Sequence, residues 1–273
     1  MISINDSDFV KLTQFIKNNF GINLTHKRTL IEGRLSNIIL EKGFDNFSNY
    51  LDFVFNDKTG DEIVILINKL TTNHTYFMRE SKHFEYMRET VLPFLAKNVR
   101  DHDLRIWSAG CSTGEEPYTL EMILQDFFGP EAMAWDTQVL ATDISNRALG
   151  LARRGIYTAD SIKEVPPMWK LNYFEKADSD GENFRVKEII KNKIVFREFN
   201  LMTQQFPFRK KFHVIFCRNV MIYFDQPTKD ALINRFYDMT EPGGYLFIGH
   251  SESVNREASR YKYIMPAVYR KEL

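Results

Sequence analysis

The chain has 273 residues, with 36 basic and 36 acidic side chains, so its formal net charge is zero. Hydrophobic residues make up 44% of the sequence, which is enough for a folded core and argues against disorder. The charge balance argues against a nucleic-acid-binding protein, because such proteins usually carry a basic excess.

Other features argue against a membrane or secreted protein. No apolar run approaches the roughly 20 residues that span a bilayer, and the N-terminus lacks the basic and apolar regions of a signal peptide. The two cysteines, Cys111 and Cys217, have no CxxC spacing, which suggests a reducing compartment. The six histidines have no metal-ligand spacing. We expect a cytoplasmic, metal-free protein that does not insert into a membrane, and nothing suggests an obligate oligomer, so a monomer is expected.

The first hundred residues have the apolar spacing of helices and lack the alternation of strands. In the first segment Ser7 is the predicted N-cap and Gly21 the predicted stop. The four amphipathic segments read "SDFVKLTQFIKNNFG", "KRTLIEGRLSNIILEKG", "FSNYLDFVF" and "DEIVILINKL". They predict an N-terminal helical domain over residues 1–72, and "HFEYMRETVLPFLAK" predicts a helix that leads into the next domain.

From residue 104 onward, apolar strands alternate with helices, which predicts a parallel, doubly wound α/β sheet. The last aromatic run, "YKYIMPAVYRK", follows its neighbour without a long helix and predicts an antiparallel edge strand. The other predicted strands are "LRIWSAG", "TQVLATDI", "FHVIFCRN" and "PGGYLFIGHSE", and the helices between them are "EEPYTLEMILQDFFG", "SNRALGLARRG" and "QPTKDALINRFYDMT".

One segment breaks this alternation. Phe184–Ile189 and Ile194–Phe199 are strand-like and flank a polar turn at Lys191 and Asn192. We expect a small antiparallel β subdomain at about 171–199, inserted in a second domain that spans residues 73–273.

The turn "WSAGCSTGEEPY" follows the first predicted strand, where α/β sheets bind ligands. Gly110 and Gly114 let the backbone bend and approach a ligand. The turn lacks the GxGxxG of dinucleotide sites and the GK[ST] of a P-loop. Glu115 and Glu116 would repel a pyrophosphate and attract a cation or a hydroxyl-rich group, although an acid here can also simply favour the helix N-terminus.

Asp143 ends the second predicted strand, in "ATDIS". An acid at this position can accept hydrogen bonds from a ribose diol. The alternative is a helix N-cap, a role that Asp143 or Ser145 could fill. Together with the acidic turn, it favours a nucleoside ligand without phosphate, and S-adenosylmethionine fits.

Two further patches carry polar side chains. Arg218 and Asn219 end the third main strand, and Tyr223 lies one turn beyond it. The second patch, "TTNHTYFMRE", holds Asn73, Thr75 and Arg79 at the junction of the predicted domains, where clefts form. Taken alone, Tyr223 could be a half-buried core aromatic and Arg79 a surface charge.

The motifs "LTTNHTYFMRE", "WSAGCSTGEEPY", "ATDIS", "FCRNVMIYF" and "GGYLFIGHSES" occur in the order of the CheR family. The sequence resembles this family, the chemoreceptor glutamate methyltransferases, over essentially its whole length. The resemblance implies a small helical domain joined to a Rossmann-like methyltransferase domain with a small antiparallel β subdomain. It implies transfer of a methyl group from S-adenosylmethionine, leaving S-adenosylhomocysteine, to glutamates on the cytoplasmic helices of chemoreceptors.

The resemblance also assigns site residues. Arg79 and Tyr223 are expected at the reacting centre, where they orient the incoming carboxylate. The residues expected to bind the cofactor are Asn73, Thr75, Arg79, Glu116, Asp143, Asn200, Leu201, Arg218 and Asn219. No metal is expected.

The chain departs from the family pattern in two places. The first forty residues are only mildly basic, whereas the receptor-facing helix of the family is often strongly basic. The β subdomain turn "KADSDGENF" has one glycine, where members that dock a receptor C-terminal peptide tend to have more. Docking of that peptide is therefore an open alternative for this chain.

Three alternative functions remain at this point. A non-catalytic protein could bind the same cofactor as a sensor or scaffold, which the presence of Arg79, Asn219 and Tyr223 argues against. A nucleic-acid amino-methyltransferase would usually show an "NPPY" or "DPPY" turn, where this chain has "CRNVMIYF". An NAD-dependent enzyme is disfavoured by the missing GxGxxG.

Overall fold

The computed structural model describes residues 1–71 and 75–273. By their contacts these residues form two compact units, one of residues 1–71 with 223–228 and one of residues 75–222 with 229–273. Among the described residues, no helix has the length and apolar character needed to cross a bilayer.

The first unit is helical, as its apolar spacing predicts. Gly21 ends the first helix in the left-handed conformation, with φ 73°. The predicted N-cap at Ser7 is wrong, because Asn5 caps the helix and its side chain accepts a hydrogen bond from the Asp8 amide at 2.8 Å. The helices are α1 (Asp6–Phe20), α2 (Arg28–Glu41), α3 (Phe47–Asn56) and α4 (Asp61–Leu70).

Residues 223–228, distant in sequence, group with these helices. The Asn23 amide donates to the Tyr223 carbonyl at 2.8 Å, and Lys17 pairs with Asp225 at 2.7 Å. The segment that follows the third predicted main strand is thus tied to the helical unit by backbone and charge.

The second unit contains the α/β sheet. Its strands are β1 (Ile106–Ala109), β2 (Val139–Asp143), β3 (Ile156–Thr158), β4 (Phe174–Lys176), β5 (Asn183–Val186), β6 (Ile194–Glu198), β7 (Phe212–Cys217), β8 (Thr240–Ile248), β9 (Lys262–Met265) and β10 (Val268–Arg270). Its α-helices are α5 (Ser81–Tyr86), α6 (Leu92–Asn98), α7 (Glu115–Phe128), α8 (Asn146–Arg154), α9 (Pro167–Tyr173), α10 (Glu188–Lys191) and α11 (Gln226–Asp238).

The main sheet has the strand order β6-β2-β1-β7-β8-β10-β9. The strands from β6 to β8 run parallel, and β10 and β9 continue the sheet in antiparallel pairing. The predicted doubly wound sheet with an antiparallel edge is confirmed. Because the chain leaves β1 toward β2 on one side and returns to β7 on the other, the crevice between β1 and β7 is the switch point where such folds bind ligands.

Two details of the predicted elements are wrong. The final aromatic run is not one strand but a hairpin of β9 and β10, which turns at Ala267 with φ 65°. Ile194–Glu198 pairs in parallel with β2 at the edge of the main sheet instead of joining an antiparallel subdomain. The separate antiparallel sheet has the order β3-β5-β4, and Glu188–Lys191 is helical.

The helix predicted at residues 83–97 is present as α5 and α6, joined by a π-helical turn at Met87–Val91. Pro93 is the second residue of α6 and directly follows the π-helical turn. Phe84 and Leu92 of this segment are buried in the core of the α/β unit. The segment therefore anchors the residues just before it, including Arg79 and Glu80, against the sheet.

Candidate functional site

The carboxyl ends of β1, β2 and β7 meet at one edge of the sheet, because neighbouring parallel strands share their direction. Three acids and one guanidinium lie there. Glu116 lies in the first turn of α7, the helix after β1, Asp143 ends β2, and Arg218 follows β7. Glu80, just before α5, completes this group. The switch-point cluster, defined as Glu80, Glu116, Asp143 and Arg218, is the candidate functional site.

The turn between β1 and α7 is fixed by its two glycines. Gly110 has φ 93° and Gly114 has φ 100°, conformations that L side chains rarely adopt. A Cβ on Gly110 would lie 2.4 Å from Val220 Cγ2, and one on Gly114 would lie 2.9 Å from Ala152 Cβ. Packing of the turn within its own unit therefore requires both glycines. The sequence analysis predicted only that they let the backbone bend and approach a ligand.

The two adjacent acids of this turn have different surroundings. Glu115 is buried and accepts a hydrogen bond from the Thr113 hydroxyl at 2.7 Å. Glu116 accepts one from the Ser108 hydroxyl at 2.7 Å, and its other oxygen lies 3.3 Å from Arg218 Nη1. Burial raises the pKa of both carboxyls, and for Glu116 the Arg218 charge opposes that rise. Only Glu116 connects to the strand on the far side of the switch point.

Asp143 joins the first two strand ends. Its Oδ2 accepts from the Ser112 amide at 2.8 Å, and its Oδ1 accepts from the Ser145 amide at 2.9 Å. Burial raises the pKa of Asp143, and these two N–H groups oppose that rise. Ser145 is the N-cap of α8, since its hydroxyl accepts from the Ala148 amide at 3.2 Å. The cap alternative for Asp143 is therefore wrong, and its oxygens keep lone pairs for a further donor.

Arg218 connects the cluster. Its side chain is buried among aromatic rings, with the guanidinium carbon 5.1 Å from the centre of the Phe84 ring. Nη2 lies 3.2 Å from Glu80 and also donates to the Arg79 carbonyl, while Nη1 reaches Glu116. A guanidinium suits this position because its fixed fork can serve several acceptors at once.

Asn219 follows with a left-handed backbone, φ 60°. Its side-chain amide donates to Glu80 at 3.3 Å, so Glu80 accepts from both residues of the Arg218–Asn219 pair. Burial disfavours the charge of Glu80, but Arg218 and Asn219 outweigh burial and hold the pKa of Glu80 below its usual value. Glu80 is therefore an ionised partner at neutral pH.

The remaining predicted site residues lie outside the switch-point cluster or outside the described residues. Asn73 lies outside the described residues. Thr75 and Arg79 are half-buried in the α/β unit, with the Arg79 guanidinium carbon 5.9 Å from the Tyr76 ring centre. Tyr223 belongs to the helical unit.

Asn200 and Leu201 follow β6 at the same edge of the sheet. β6 pairs with β2, and the Phe199 amide donates to the Asp143 carbonyl at 3.0 Å, which brings this segment beside Asp143. Leu201 is buried, whereas Asn200 is half-buried and its side chain accepts from the Met202 amide at 2.9 Å. The structure thus gathers Glu116, Asp143, Asn200, Leu201, Arg218 and Asn219 on one edge.

Sequence reasoning missed Glu80, His83, His250 and Glu252. His83 is fully buried, and burial followed by the Arg218 charge lowers its pKa to about 3, so it is neutral. Neither of its ring nitrogens has a hydrogen-bond partner among residues 1–71 and 75–273. The signal was present in the quoted motifs, since Glu80 ends "YFMRE" and His250 and Glu252 lie in "GHSES".

Glu80, His83 and His250 each place one potential metal-ligand atom within 4.8 Å of the others. The Glu80 carboxylate is already paired with the Arg218 guanidinium at 3.2 Å. A cation at this point would share its carboxylate with a fixed positive charge, which is unfavourable. The chemistry of the donor set thus favours an ion-pair network over a metal centre.

The residues present fit a cationic, hydroxylated nucleoside. The amides of Ser112 and Ser145, which could otherwise cradle a phosphate, are bonded to Asp143. The Arg218 charge is matched by Glu80 and Glu116. Fold and site together define a Rossmann-like nucleoside-binding domain whose acids disfavour a pyrophosphate.

Comparisons with known proteins agree with this class. Residues 73–269 match the family described as CheR methyltransferase, SAM binding domain, and residues 7–71 match CheR methyltransferase, all-alpha domain. The chain is 45% identical to the chemotaxis protein methyltransferase of Borreliella burgdorferi, over 99% of this chain and 96% of the relative. It is 36% identical to the chemotaxis protein methyltransferase of Escherichia coli, over 98% of this chain and 92% of the relative. The chain belongs to the CheR methyltransferase family.

Proposed function

We propose that the protein transfers a methyl group from S-adenosylmethionine to glutamate side chains on the cytoplasmic helices of chemoreceptors. The observation that carries the proposal is the acidic switch-point cluster, in which Glu116 and Arg218 face each other across β1 and β7. Family membership and relatives named chemotaxis protein methyltransferase support the substrate class. When bound, S-adenosylmethionine supplies an electrophilic methyl group on a sulfonium sulfur.

Within this proposal Glu116 and Asp143 hold the polar parts of the cofactor. Asp143 has lone pairs left for the ribose hydroxyls after accepting from the Ser112 and Ser145 amides. Glu116 presents negative charge toward a cation, and Arg218 fixes its orientation. Asn200 and Leu201, which follow the neighbouring strand, serve the adenine side. Asn73 and Thr75 stay predictions for the cofactor contacts.

The substrate glutamate needs no general base. A free Glu carboxyl has a pKa of about 4.3, so it is already ionised at neutral pH. The chain's task is to position the carboxylate and remove part of its water. We propose that Arg79 does this by hydrogen bonds, without pairing so closely that the nucleophile is quenched. Tyr223 remains a prediction for the same role.

Methyl-ester formation tests the proposal. Incubation with methyl-labelled S-adenosylmethionine and a receptor cytoplasmic fragment should give protein-bound label that base releases as methanol. A receptor fragment with its methylatable glutamates changed to alanine is the matched control and should stay unlabelled. Cofactor binding without any base-labile label on receptor fragments would instead indicate a non-catalytic sensor and overturn the proposal.

Arg79→Ala and Tyr223→Phe test the assignment of these two residues. Each should lower the labelling rate, and the Arg79 change should lower it more because it removes a charged hydrogen-bond donor. Arg79→Lys keeps the charge without the planar fork and should restore only part of the rate. Unchanged rates in both Arg79→Ala and Tyr223→Phe would show that neither residue positions the carboxylate.

A further inference from the structure

The motif "GHSES" follows β8 and has no role in the proposed mechanism. Its Glu252 is buried, with 7% of its surface exposed. One carboxylate oxygen, Oε2, accepts from the Asn219 amide at 2.9 Å and from the Gly249 amide at 2.6 Å. The same oxygen therefore joins the turn after β7 to the turn after β8.

Asn219 is held in an unusual conformation at this junction. Its φ of 60° lies in the left-handed region, which Asn tolerates better than most residues but does not prefer. The hydrogen bond from the Asn219 backbone N–H to Glu252 fixes the backbone of Asn219. The hydrogen bond from its side-chain amide to Glu80 fixes its side chain. Glu252 thus holds the backbone of Asn219, and Glu80 holds its side chain.

Gly249 allows this arrangement to close. A Cβ at Gly249 would lie 2.5 Å from Asn219 Nδ2 and 2.9 Å from Glu252 Oε2. Any side chain there would push the Asn219 amide away from its partners. The missing Cβ at Gly249 and the buried carboxylate of Glu252 therefore both keep Asn219 in its observed position.

The second oxygen of Glu252 indicates a role beyond packing. Oε1 is buried and has no hydrogen-bond partner among the described residues, so the carboxylate is retained despite an unsatisfied atom. Burial raises the pKa of Glu252, and the backbone N–H groups of Gly249, Asn219 and Met221 oppose that rise. Burial of a carboxylate is costly, and here its Oε2 holds the backbone of Asn219 and Gly249.

We propose that Glu252 is a positioning residue for methyl transfer, whose buried carboxylate sets the Arg218–Asn219 pair in place beside Glu116. The inference rests on the proposed function, because it assigns the purpose of that geometry to the binding of S-adenosylmethionine. Glu252 acts through Asn219 and makes no contact with a reacting atom in this proposal.

The test compares Glu252→Ala, Glu252→Gln and the wild-type chain. Glu252→Ala removes the acceptor of two N–H groups, and loss of such charge-assisted bonds corresponds to about tenfold to a hundredfold. We expect that loss in the affinity for S-adenosylmethionine, measured by calorimetry, and in kcat/KM, with the KM for the receptor fragment unchanged. Glu252→Gln keeps one carbonyl oxygen and should stay within about threefold of wild type.

Two further variants make the test specific. Glu257→Ala removes an exposed acid from the same loop and should behave as wild type. Gly249→Ala keeps the Glu252 carboxylate in the chain but places a Cβ 2.5 Å from Asn219 Nδ2 and 2.9 Å from Glu252 Oε2, which disturbs the contact between these two residues. It should therefore reproduce the weakened cofactor binding of Glu252→Ala with the receptor KM again unchanged. Circular dichroism shows whether each variant is folded. If Glu252→Ala does not fold, Gly249→Ala becomes the deciding variant.

The outcomes separate this inference from the proposed function. If the wild-type chain binds the cofactor but labels no receptor fragment, the proposed function is wrong. The affinities of the Glu252 and Gly249 variants for S-adenosylmethionine then still test whether Glu252 positions the Arg218–Asn219 pair. Folded Glu252→Ala with wild-type cofactor affinity overturns the inference, and so does folded Gly249→Ala with wild-type affinity. A loss in Glu252→Ala that Glu252→Gln restores supports it.

Discussion

Replacing Arg218 with methionine tests the switch-point cluster as a buried charge network. Arg218 is 6% exposed and lies 3.2 Å from Glu80 and 3.3 Å from Glu116. Methionine keeps much of the side-chain volume but leaves two carboxylates without their counter-charge. Removing one partner of a buried ion pair costs about 3–5 kcal/mol.

In a chain of this size each kcal/mol corresponds to roughly 2–4 °C of melting temperature. Arg218→Met should therefore lower the melting midpoint by about 6–20 °C at pH 7.5, measured by far-ultraviolet circular dichroism. Arg256→Met, which alters an exposed guanidinium over the Tyr263 ring, is the matched control and should cost no more than about 1 kcal/mol, the value of an exposed cation–π contact.

Two further measurements identify the cause of the loss. Adding Glu116→Gln to Arg218→Met removes one uncompensated charge and should recover part of the lost stability. Without Arg218, Glu80 and Glu116 lose the charge that most strongly opposes burial, so their folded-state pKa values should rise, although the hydrogen bonds from Asn219 and Ser108 still oppose the rise. The deficit should then be largest above that raised pKa and shrink as the pH falls toward 5, because the folded state binds the extra protons. An Arg218→Met variant as stable as Arg256→Met at pH 7.5 would contradict this reasoning.

Three other substitutions give independent predictions. Burial raises the pKa of Glu121 from 4.5 to about 8, so between these pH values the folded state retains a proton that the unfolded state has released. Wild-type stability should therefore fall as the pH rises from about 4.5 to about 8 and level off above, whereas urea unfolding of Glu121→Gln should show a flatter pH profile. Gly110→Ala should destabilise by at least about 1–3 kcal/mol through its positive φ and contact with Val220, whereas Gly33→Ala, with open space around its Cβ, should not destabilise. Cys111→Ala should keep the methyl-transfer rate within about threefold, because the buried thiol has a raised pKa and is no nucleophile.

The main sheet could be predicted because each strand and helix carries its own local signal. The apolar runs that became β1, β2, β7 and β8 are buried on both faces, and helices separate them in sequence. Alternation of this kind leaves few topologies open. The same alternation predicts from the sequence alone that Glu116 and Asp143 lie at one edge of the sheet.

Strand partners were harder to predict than strands. The run at Ile194–Glu198 has the composition of a strand, but nothing local shows that it pairs with β2 instead of the preceding β5. The short elements β3 and α9 were missed because three to seven residues carry too little periodicity. Pairing depends on contacts between segments far apart in sequence.

The ion-pair network was missed for the same reason. Glu80 and Arg218 are 138 positions apart, and Glu80 and the His250 amide are 170 apart. A lone acid after Arg79 has no pattern that separates it from a surface charge. Only the folded α/β unit shows that this acid and Asn219, both half-buried, form one hydrogen-bonded group with the buried Arg218.

We propose that the acidic switch-point cluster holds a sulfonium nucleoside and no phosphate. Isothermal titration of the wild-type chain with S-adenosylmethionine, S-adenosylhomocysteine and NAD decides between these ligand classes. We predict saturable binding of the first two, with weakened S-adenosylmethionine binding in Asp143→Asn, and no measurable binding of NAD. Binding of NAD at comparable affinity, or no binding of S-adenosylmethionine, would contradict the assignment of this site.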